Sequence, residues 1–223
     1  MLKLITAACS SNLLPYLYAI QIIREGSQCT DSMEEHIVKV LLLGDDKVGK
    51  TTFLSRISGG GDSLDGKVPI TLLRDTDQPF IFELRNRRRA YRLEFYDTAY
   101  PGDWQLLEPD LVLICFDISQ RLSLINMERV WIKEVRSTFH ASDRIPFIVV
   151  GLKRDLRSET DPNGTIYPEE GYKVSQAMRA DRYVECSAVT GELLKLAFED
   201  ICNTAAKTKT EAGGQSEGGC ALM

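Results

Sequence analysis

Ile37-Val38-Lys39-Val40-Leu41-Leu42-Leu43 runs directly into Gly44-Asp45-Asp46-Lys47-Val48-Gly49-Lys50-Thr51. The first stretch is a mostly apolar run of strand length, the second fits G-x-x-x-x-G-K-[ST], and Gly49 to Ile57 reads as a helix. Strand, glycine-bearing loop and helix amino terminus in that order are what a phosphate-binding loop requires. The glycines let backbone N–H groups turn inward around phosphate oxygens, and the helix end adds its partial positive charge. In that frame Lys50 reaches β and γ phosphates and the Thr51 hydroxyl ligates Mg²⁺.

Outward from this loop the pattern stays regular. Phe80 to Leu84 and Tyr91 to Tyr96 alternate apolar and polar residues on either side of Arg85, Arg87, Arg88 and Arg89, as an antiparallel hairpin does. Leu111 to Ile118 and Ile145 to Val150 are nearly continuous apolar runs, suited to strands covered on both faces, with Pro146 tolerable at a strand start. Helical stretches follow at Leu122 to His140, Pro168 to Arg179 and Thr190 to Ala206, and Val184 marks a last short strand. Strands alternating with helices predict an α/β fold, the P-loop NTPase three-layer sandwich. Its sheet is expected to be six-stranded and mostly parallel, with one antiparallel edge strand.

The expected organisation is an extension over 1–32, a nucleotide-binding domain over 33–206 and a flexible tail over 207–223. In the extension, the apolar stretch Leu13 to Ile23 is broken by Pro15 and Gln21 and is too short to span a bilayer. Two readings of it stand: Lys3 followed by Leu4 to Ala8 has a weak secretory-signal pattern, and Met33 offers a second start just ahead of the first strand. The tail is rich in Gly, Lys, Glu and Thr with almost nothing apolar.

Composition narrows the function class. The chain of 223 residues is 43% hydrophobic, enough for one full core, and its formal net charge of -5 argues against a nucleic-acid binder. The arginine cluster reads as a solvated turn. Six cysteines are scattered without a Cys-x-x-Cys pair, which fits free thiols in a reducing compartment. Cys115 and Cys186 lie in or beside strand-like runs and read as buried structural thiols. His36 opens a strand and His140 ends a helical run, and neither has a triad partner nearby.

Two more stretches complete a nucleotide site. Asp97, ending the strand Leu93 to Tyr96, is placed to hold Mg²⁺ directly or through water. Phe147-Ile148-Val149-Val150-Gly151-Leu152-Lys153-Arg154-Asp155-Leu156 sets a lysine and an aspartate just after a buried strand, where open α/β sheets bind ligands. The Asp155 carboxylate can accept from guanine N1–H and its 2-amino group, neither of which adenine presents, and the Lys153 stem can lie across the base. After the last strand comes Cys186-Ser187-Ala188, whose Ala188 N–H is available to guanine O6. The candidate nucleotide-binding set is Asp46, Lys47, Val48, Gly49, Lys50, Thr51, Thr52, Asp97, Lys153, Asp155, Leu156, Ser187 and Ala188, with Thr51 and Asp97 as metal ligands.

These residues together resemble the Ras-superfamily small GTPases over essentially all of Ile37 to Ala206. Val150-Gly151-Leu152-Lys153-Arg154-Asp155-Leu156-Arg157, Pro168-Glu169-Glu170-Gly171 and the ending Cys220-Ala221-Leu222-Met223 resemble the Rho branch. The ending matches the CaaX prenylation pattern, its terminal Met favouring farnesyl on Cys220. The resemblance implies GTP or GDP with Mg²⁺ as cofactors, and effector and regulator proteins of Rho type as partners. It also implies a monomer held by its prenyl group on the cytoplasmic face of a membrane, the plasma membrane first. One lipid gives only reversible binding, and the tail sets Lys207 and Lys209 against Glu211 and Glu217.

The departures from the family fall where GTP is hydrolysed. Asp46 stands at a P-loop position that is usually glycine. After Asp97-Thr98-Ala99, Tyr100 and Pro101 replace a γ-phosphate-sensing glycine and a water-orienting glutamine, and proline has no N–H to donate. The stretch to Leu111 is shorter than in the family, which implies a truncated switch helix. In Val68-Pro69-Ile70-Thr71 the switch threonine comes one place late. The aromatic that packs on the base is missing from Gly59 to Lys67, and Leu152 replaces a commonly polar residue. The helix that Rho proteins insert shrinks to Ser158 to Tyr167. The expected function is a Rho-like GTP-binding switch or scaffold in signalling or cell polarity, a small monomeric GTPase with weak hydrolysis. Against it stand a nucleotide-free interaction module and an ATP-using P-loop enzyme; Asp155 argues against the latter.

Overall fold

The computed structural model describes residues 19–22, 35–86, 89–97, 104, 106–139, 145–157, 160 and 166–209. Among the described residues there are seven strands: β1 Ala19–Ile22, β2 Glu35–Leu43, β3 Phe80–Asn86, β4 Arg89–Asp97, β5 Leu111–Asp117, β6 Phe147–Leu152 and β7 Arg182–Glu185. They form one sheet in the order β1-β3-β4-β2-β5-β6-β7. From β4 to β7 every neighbouring pair is parallel, and β3 pairs antiparallel with β4 as the hairpin pattern required.

The expected six strands are therefore in place, and β3 is the one strand running against the rest. It is not the edge, however. β1 pairs antiparallel with its outer side, with Ala19 opposite Arg85 and Ile22 opposite Phe82. A four-residue strand is too short for its alternation to separate it from the interrupted apolar stretch around it.

The helices cover both faces. α1 is Lys50–Ser58, and a single turn, α2, follows at Gly61–Leu64. Arg121–Asn126, the π-helical turn Met127–Trp131 and Ile132–Thr138 form one continuous helix, α3. α4 is Pro168–Ala177, opened by a proline in its first turn with Glu169 and Glu170 at the positive end of the helix dipole. α5 is Leu194–Thr208.

Alternation along β2 divides the core into two layers. Val38, Val40 and Leu42 face Phe53, Leu54 and Ile57 of α1 and Phe198 and Ile201 of α5, while Leu41 and Leu43 face Leu124, Met127, Ile132 and Val135 of α3. All of β5 is buried, which explains its unbroken apolar run. Phe82 and Phe95 meet edge to face at 5.1 Å, and both reach Phe198.

Two helices depart from expectation. The π turn was invisible to a 3.6-residue pattern. α5 starts later than Thr190 because Ser187 captures the preceding residues: its Oγ accepts from Thr190 N–H and its carbonyl from Gly191 N–H. The parallel strands all point their carboxyl ends at one edge of the sheet, so Leu43, Asp97, Leu152 and Glu185 lead into loops that share one side. Among the described residues no helix is long and apolar enough to cross a membrane.

Candidate functional site

The P-loop leaves β2 through Gly44, whose φ of 144° and packing against β5 both demand glycine: a Cβ there would lie 2.3 Å from the Cys115 carbonyl oxygen. Lys47 and Gly49 also have positive φ, at 60° and 107°, so the loop curls before α1 begins at Lys50. Asp46 and Lys47 are exposed, Thr52 is half-buried, and Val48 is buried, so Val48 offers the site only its backbone. The Lys50 ammonium donates to the carbonyls of Gly44 and Asp45, both at 3.0 Å, folding its chain over the loop.

At the strand end, the Thr51 hydroxyl donates to Asp97 Oδ2 at 2.5 Å. Asp97 is fixed from behind by Gln78, whose amide donates to the Asp97 carbonyl at 2.8 Å and accepts from its N–H at 3.1 Å. The second P-loop residue is held as firmly. The Asp45 carboxylate accepts from Asn126 Nδ2 at 2.8 Å and from Trp131 Nε1 at 2.7 Å, both on α3, Asn126 immediately before the π turn and Trp131 its last residue. A π turn shifts side-chain phase, and here it brackets the point where α3 grips the loop.

The two loops after β6 and β7 form the other half. Lys153, with φ of 59°, lays its stem over the P-loop: a Cβ on Gly49 would meet Lys153 Cε at 3.7 Å and Leu152 Cδ1 at 3.9 Å. Its ammonium donates to Asp117 Oδ2 at 2.7 Å, while Asp117 Oδ1 accepts from Ser119 N–H and its hydroxyl. Asp155 Oδ1 accepts from the Ser187 hydroxyl at 2.5 Å, and Ser187 is fully buried. The Ala188 N–H has no acceptor among the described residues.

The structure thus brings together Lys50, Thr51 and Asp97 at one end and Lys153, Asp155, Ser187 and Ala188 at the other. Leu156 is 53% exposed in the 3-10 turn Arg154–Leu156, next to Asp155. Thr71 is exposed and makes no hydrogen bond to Thr51 or Asp97. Leu152 is buried, so the replacement of a polar residue there is a core contact. Thr98 to Pro101, the arginines 87 and 88, His140, most of 158–167 and Cys220 lie outside the described residues. Of the switch helix only Trp104 and the residues from Leu106 are described; Trp104 is buried 5.8 Å from Phe139.

Burial pushes the Cys115 thiol up to about 12 and raises Cys186 and Cys202 as well, so all three are protonated packing groups and not nucleophiles. No group of three or more His, Cys, Asp or Glu side chains that could hold a metal is present among the described residues. A hydroxyl beside one carboxylate is instead the donor set of a Mg²⁺ that takes its other ligands from phosphate and water.

Residues 39–207 match the profile of the Ras family. The chain belongs to the Ras family. The GTP-binding protein RHO1 of Saccharomyces cerevisiae is 28% identical over 193 residues, covering 80% of this chain and 88% of that protein. GTP-binding protein rho1 of Schizosaccharomyces pombe is 29% identical over 205 residues, covering 83% and 96%, and Rho-related protein racL of Dictyostelium discoideum is 29% identical over 177 residues, covering 73% and 86%. This Ras-family GTPase is Rho-like, and its cofactors are GTP or GDP and Mg²⁺. The Thr51–Asp97 pair and the Asp155–Ser187 pair fit those groups.

Several functional contacts had no signal in the sequence. The Asp45 grip joins residues 81 and 86 positions apart, the Asp117 tie spans 36, and Gln78 sits in a segment without regular pattern. Ser187 was singled out by its place in Cys186-Ser187-Ala188, and its bond to Asp155 supplies the reason it matters.

Proposed function

We propose that this Ras-family chain is a Rho-like GTP-binding switch or scaffold that holds GTP longer than it hydrolyses it, tethered to the cytoplasmic face of the plasma membrane by a farnesyl group on Cys220. The observation that carries the proposal is the Ser187–Asp155 bond. It points a carboxylate, oriented by a buried hydroxyl, into the same side of the sheet as the P-loop. In this reading Asp155 accepts from guanine N1–H and the 2-amino group, Ala188 N–H donates to O6, and the Lys153 stem covers the base. The P-loop N–H groups from Asp46 to Thr52 cradle the phosphates, Lys50 neutralises them, and Thr51 and Asp97 hold Mg²⁺. The relatives named as GTP-binding proteins support the same assignment.

Slow hydrolysis follows from the replacements. Positioning supplies most of the acceleration in phosphoryl transfer, and neither Tyr100 nor Pro101 can orient a water as glutamine does. Asp46 adds a side chain where glycine leaves room. The domain spans 33–206, with 1–32 as an extension and 207–223 as the tether, and its partners are effectors and regulators of Rho type.

A second reading, a nucleotide-free interaction module, has one observation in its favour. Lys50, Thr51, Asp97, Lys153 and Asp155 all have protein partners already. One experiment separates the two. The protein is purified natively with Mg²⁺ and denatured, and the released nucleotide is identified by chromatography. Bound GTP supports the proposal, bound GDP means that hydrolysis survives the replacements, and an empty site favours the module. Loss of isoprenoid incorporation in Cys220→Ser tests the tether; equal labelling of both proteins refutes it.

A further inference from the structure

Arg56 is a charged residue that the nucleotide site does not use. It lies on α1, is only 3% exposed, and has no carboxylate partner among the described residues. Its guanidinium donates instead to four backbone carbonyls. Nε reaches Ala188 O at 2.5 Å and Nη2 reaches Val189 O at 3.1 Å, while Nη1 reaches Ser63 O at 3.3 Å and also Val68 O. Two of these carbonyls belong to the loop after β7 and two, those of Ser63 and Val68, to the switch segment, the stretch from α2 to Leu73 that carries the switch threonine Thr71. A planar fork of five donors is the side-chain group that can bridge two loops in this way.

The same loops touch back to back. Gly66 has φ of 73°, and a Cβ on it would lie 2.2 Å from Thr190 O; Gly191 has φ of 79°, and its Cβ would lie 2.3 Å from Leu64 O. Neither loop can shift at this contact without the other. The far end of the switch segment is also pinned to α1, by Leu73 N–H donating to Ser55 Oγ at 2.9 Å. Val68 and Leu73 are thus both tied down, with Pro69, Ile70, Thr71 and Leu72 spanning the gap between the anchors.

A buried charge is a poor stabiliser on its own account, since an apolar side chain of similar volume commonly serves a core better. The partners of Arg56 suggest what it does instead. We propose that Arg56 is a positioning residue that couples the guanine-side loop to the switch segment: by holding the Ala188 and Val189 carbonyls it anchors the loop just after the Ser187–Ala188 peptide, so that the Ala188 N–H faces O6, and it makes that orientation depend on where residues 63–68 sit. This rests on the guanine reading proposed above. Release of the base and movement of the switch segment are then one event.

The test uses full-length protein carrying Arg56→Lys, whose compact ammonium keeps the charge but cannot span both loops, and Arg56→Met, which keeps most of the volume. Dissociation of GDP and of 6-thio-GDP, both ribose-labelled with a fluorophore, is followed at fixed Mg²⁺. Sulfur accepts weakly, so the bond that Arg56 orients contributes little with the thio analogue. The variants are expected to release GDP about tenfold faster, the worth of one misaimed hydrogen bond, and 6-thio-GDP at nearly the wild-type rate. Equal acceleration of both nucleotides means that Arg56 only props the fold, and overturns the proposal. Hydrogen exchange on the nucleotide-free proteins decides the coupling without any ligand. Faster exchange in 63–68 and 187–191 together supports it, and a change confined to one loop overturns it. Wild-type protein that binds no guanine nucleotide while both loops loosen together would remove the guanine reading and leave the mechanical coupling standing.

Discussion

Replacing Asp45 with alanine tests how the P-loop is held when no ligand is there to hold it. The carboxylate accepts from an amide N–H at 2.8 Å and an indole N–H at 2.7 Å. A hydrogen bond to a charged acceptor contributes about 1.5–3 kcal/mol, so two in isolation would contribute up to about 6 kcal/mol. Asp45 is half-exposed, and solvent screens part of that, which leaves an expected loss of about 2–3 kcal/mol. For a chain of this size that lowers the melting temperature by roughly 5–10 °C. Melting is measured after nucleotide is stripped with EDTA, because bound ligand would add its own mass-action stabilisation. Asp45→Ala, Trp131→Phe and the double variant close a cycle in which the indole's lost packing cancels, leaving a coupling of about 1–2 kcal/mol. A coupling below about 0.3 kcal/mol would show that the carboxylate and the indole do not pair, and the account of α3 gripping the loop would fall.

Three further outcomes are expected. Ser187→Ala frees Asp155 from its 2.5 Å bond and should weaken GDP binding about tenfold by calorimetric titration; unchanged affinity would mean that the hydroxyl does not orient the carboxylate. Gly44→Ala places a Cβ 2.3 Å from the Cys115 carbonyl at φ of 144° and should cost about 3 kcal/mol or more, read as a lower urea midpoint; a midpoint within error of wild type refutes the fit argument. Burial raises the Cys115 thiol and the Tyr96 phenol to about 12 from ordinary values of 9.0 and 10.0, and raises Cys186 and Cys202 in the same sense. The folded state keeps these protons where the unfolded chain releases them. Their contribution is therefore complete below pH 9 and is lost as pH climbs toward 12, so the urea midpoint should fall over that window. A midpoint flat to pH 11 would contradict it.

What the sequence made legible divides by the range of the interaction. Local pattern and spacing located all six strands from β2 to β7, the helices α1, α3, α4 and α5 and the P-loop, because a buried strand such as β5 and a loop such as Gly44 to Thr51 announce themselves within a few residues. Contacts between distant segments left no local trace. Nothing in its neighbours marks Arg56 within the helix Gly49 to Ile57, yet it is buried against carbonyls 132 and 133 residues away. Asp45 occupies a position that the G-x-x-x-x-G-K-[ST] pattern leaves unspecified. β1 was missed because strand pairing needs a partner edge, and the edge of β3 becomes visible only when the sheet is assembled.

The state of the site before ligand arrives bears on how it binds. A carboxylate offers about four lone-pair positions, so Asp155 can keep the Ser187 hydroxyl and still accept two bonds from a guanine edge. Lys153 can likewise keep Asp117, since only its stem would face a base. In the proposed guanine reading the base end therefore surrenders nothing on binding and is already oriented, which lowers the ordering cost. The phosphate end differs. In the proposed reading Lys50 exchanges its bonds to the carbonyls of Gly44 and Asp45 for phosphate oxygens, while Thr51 can keep donating its proton to Asp97 and offer a hydroxyl lone pair to a cation. Charge on charge exceeds the neutral bonds that Lys50 gives up, so the exchange becomes favourable when phosphate arrives. Recognition of the base is thus built into the rigid half of the site, while affinity depends on the half that has to rearrange.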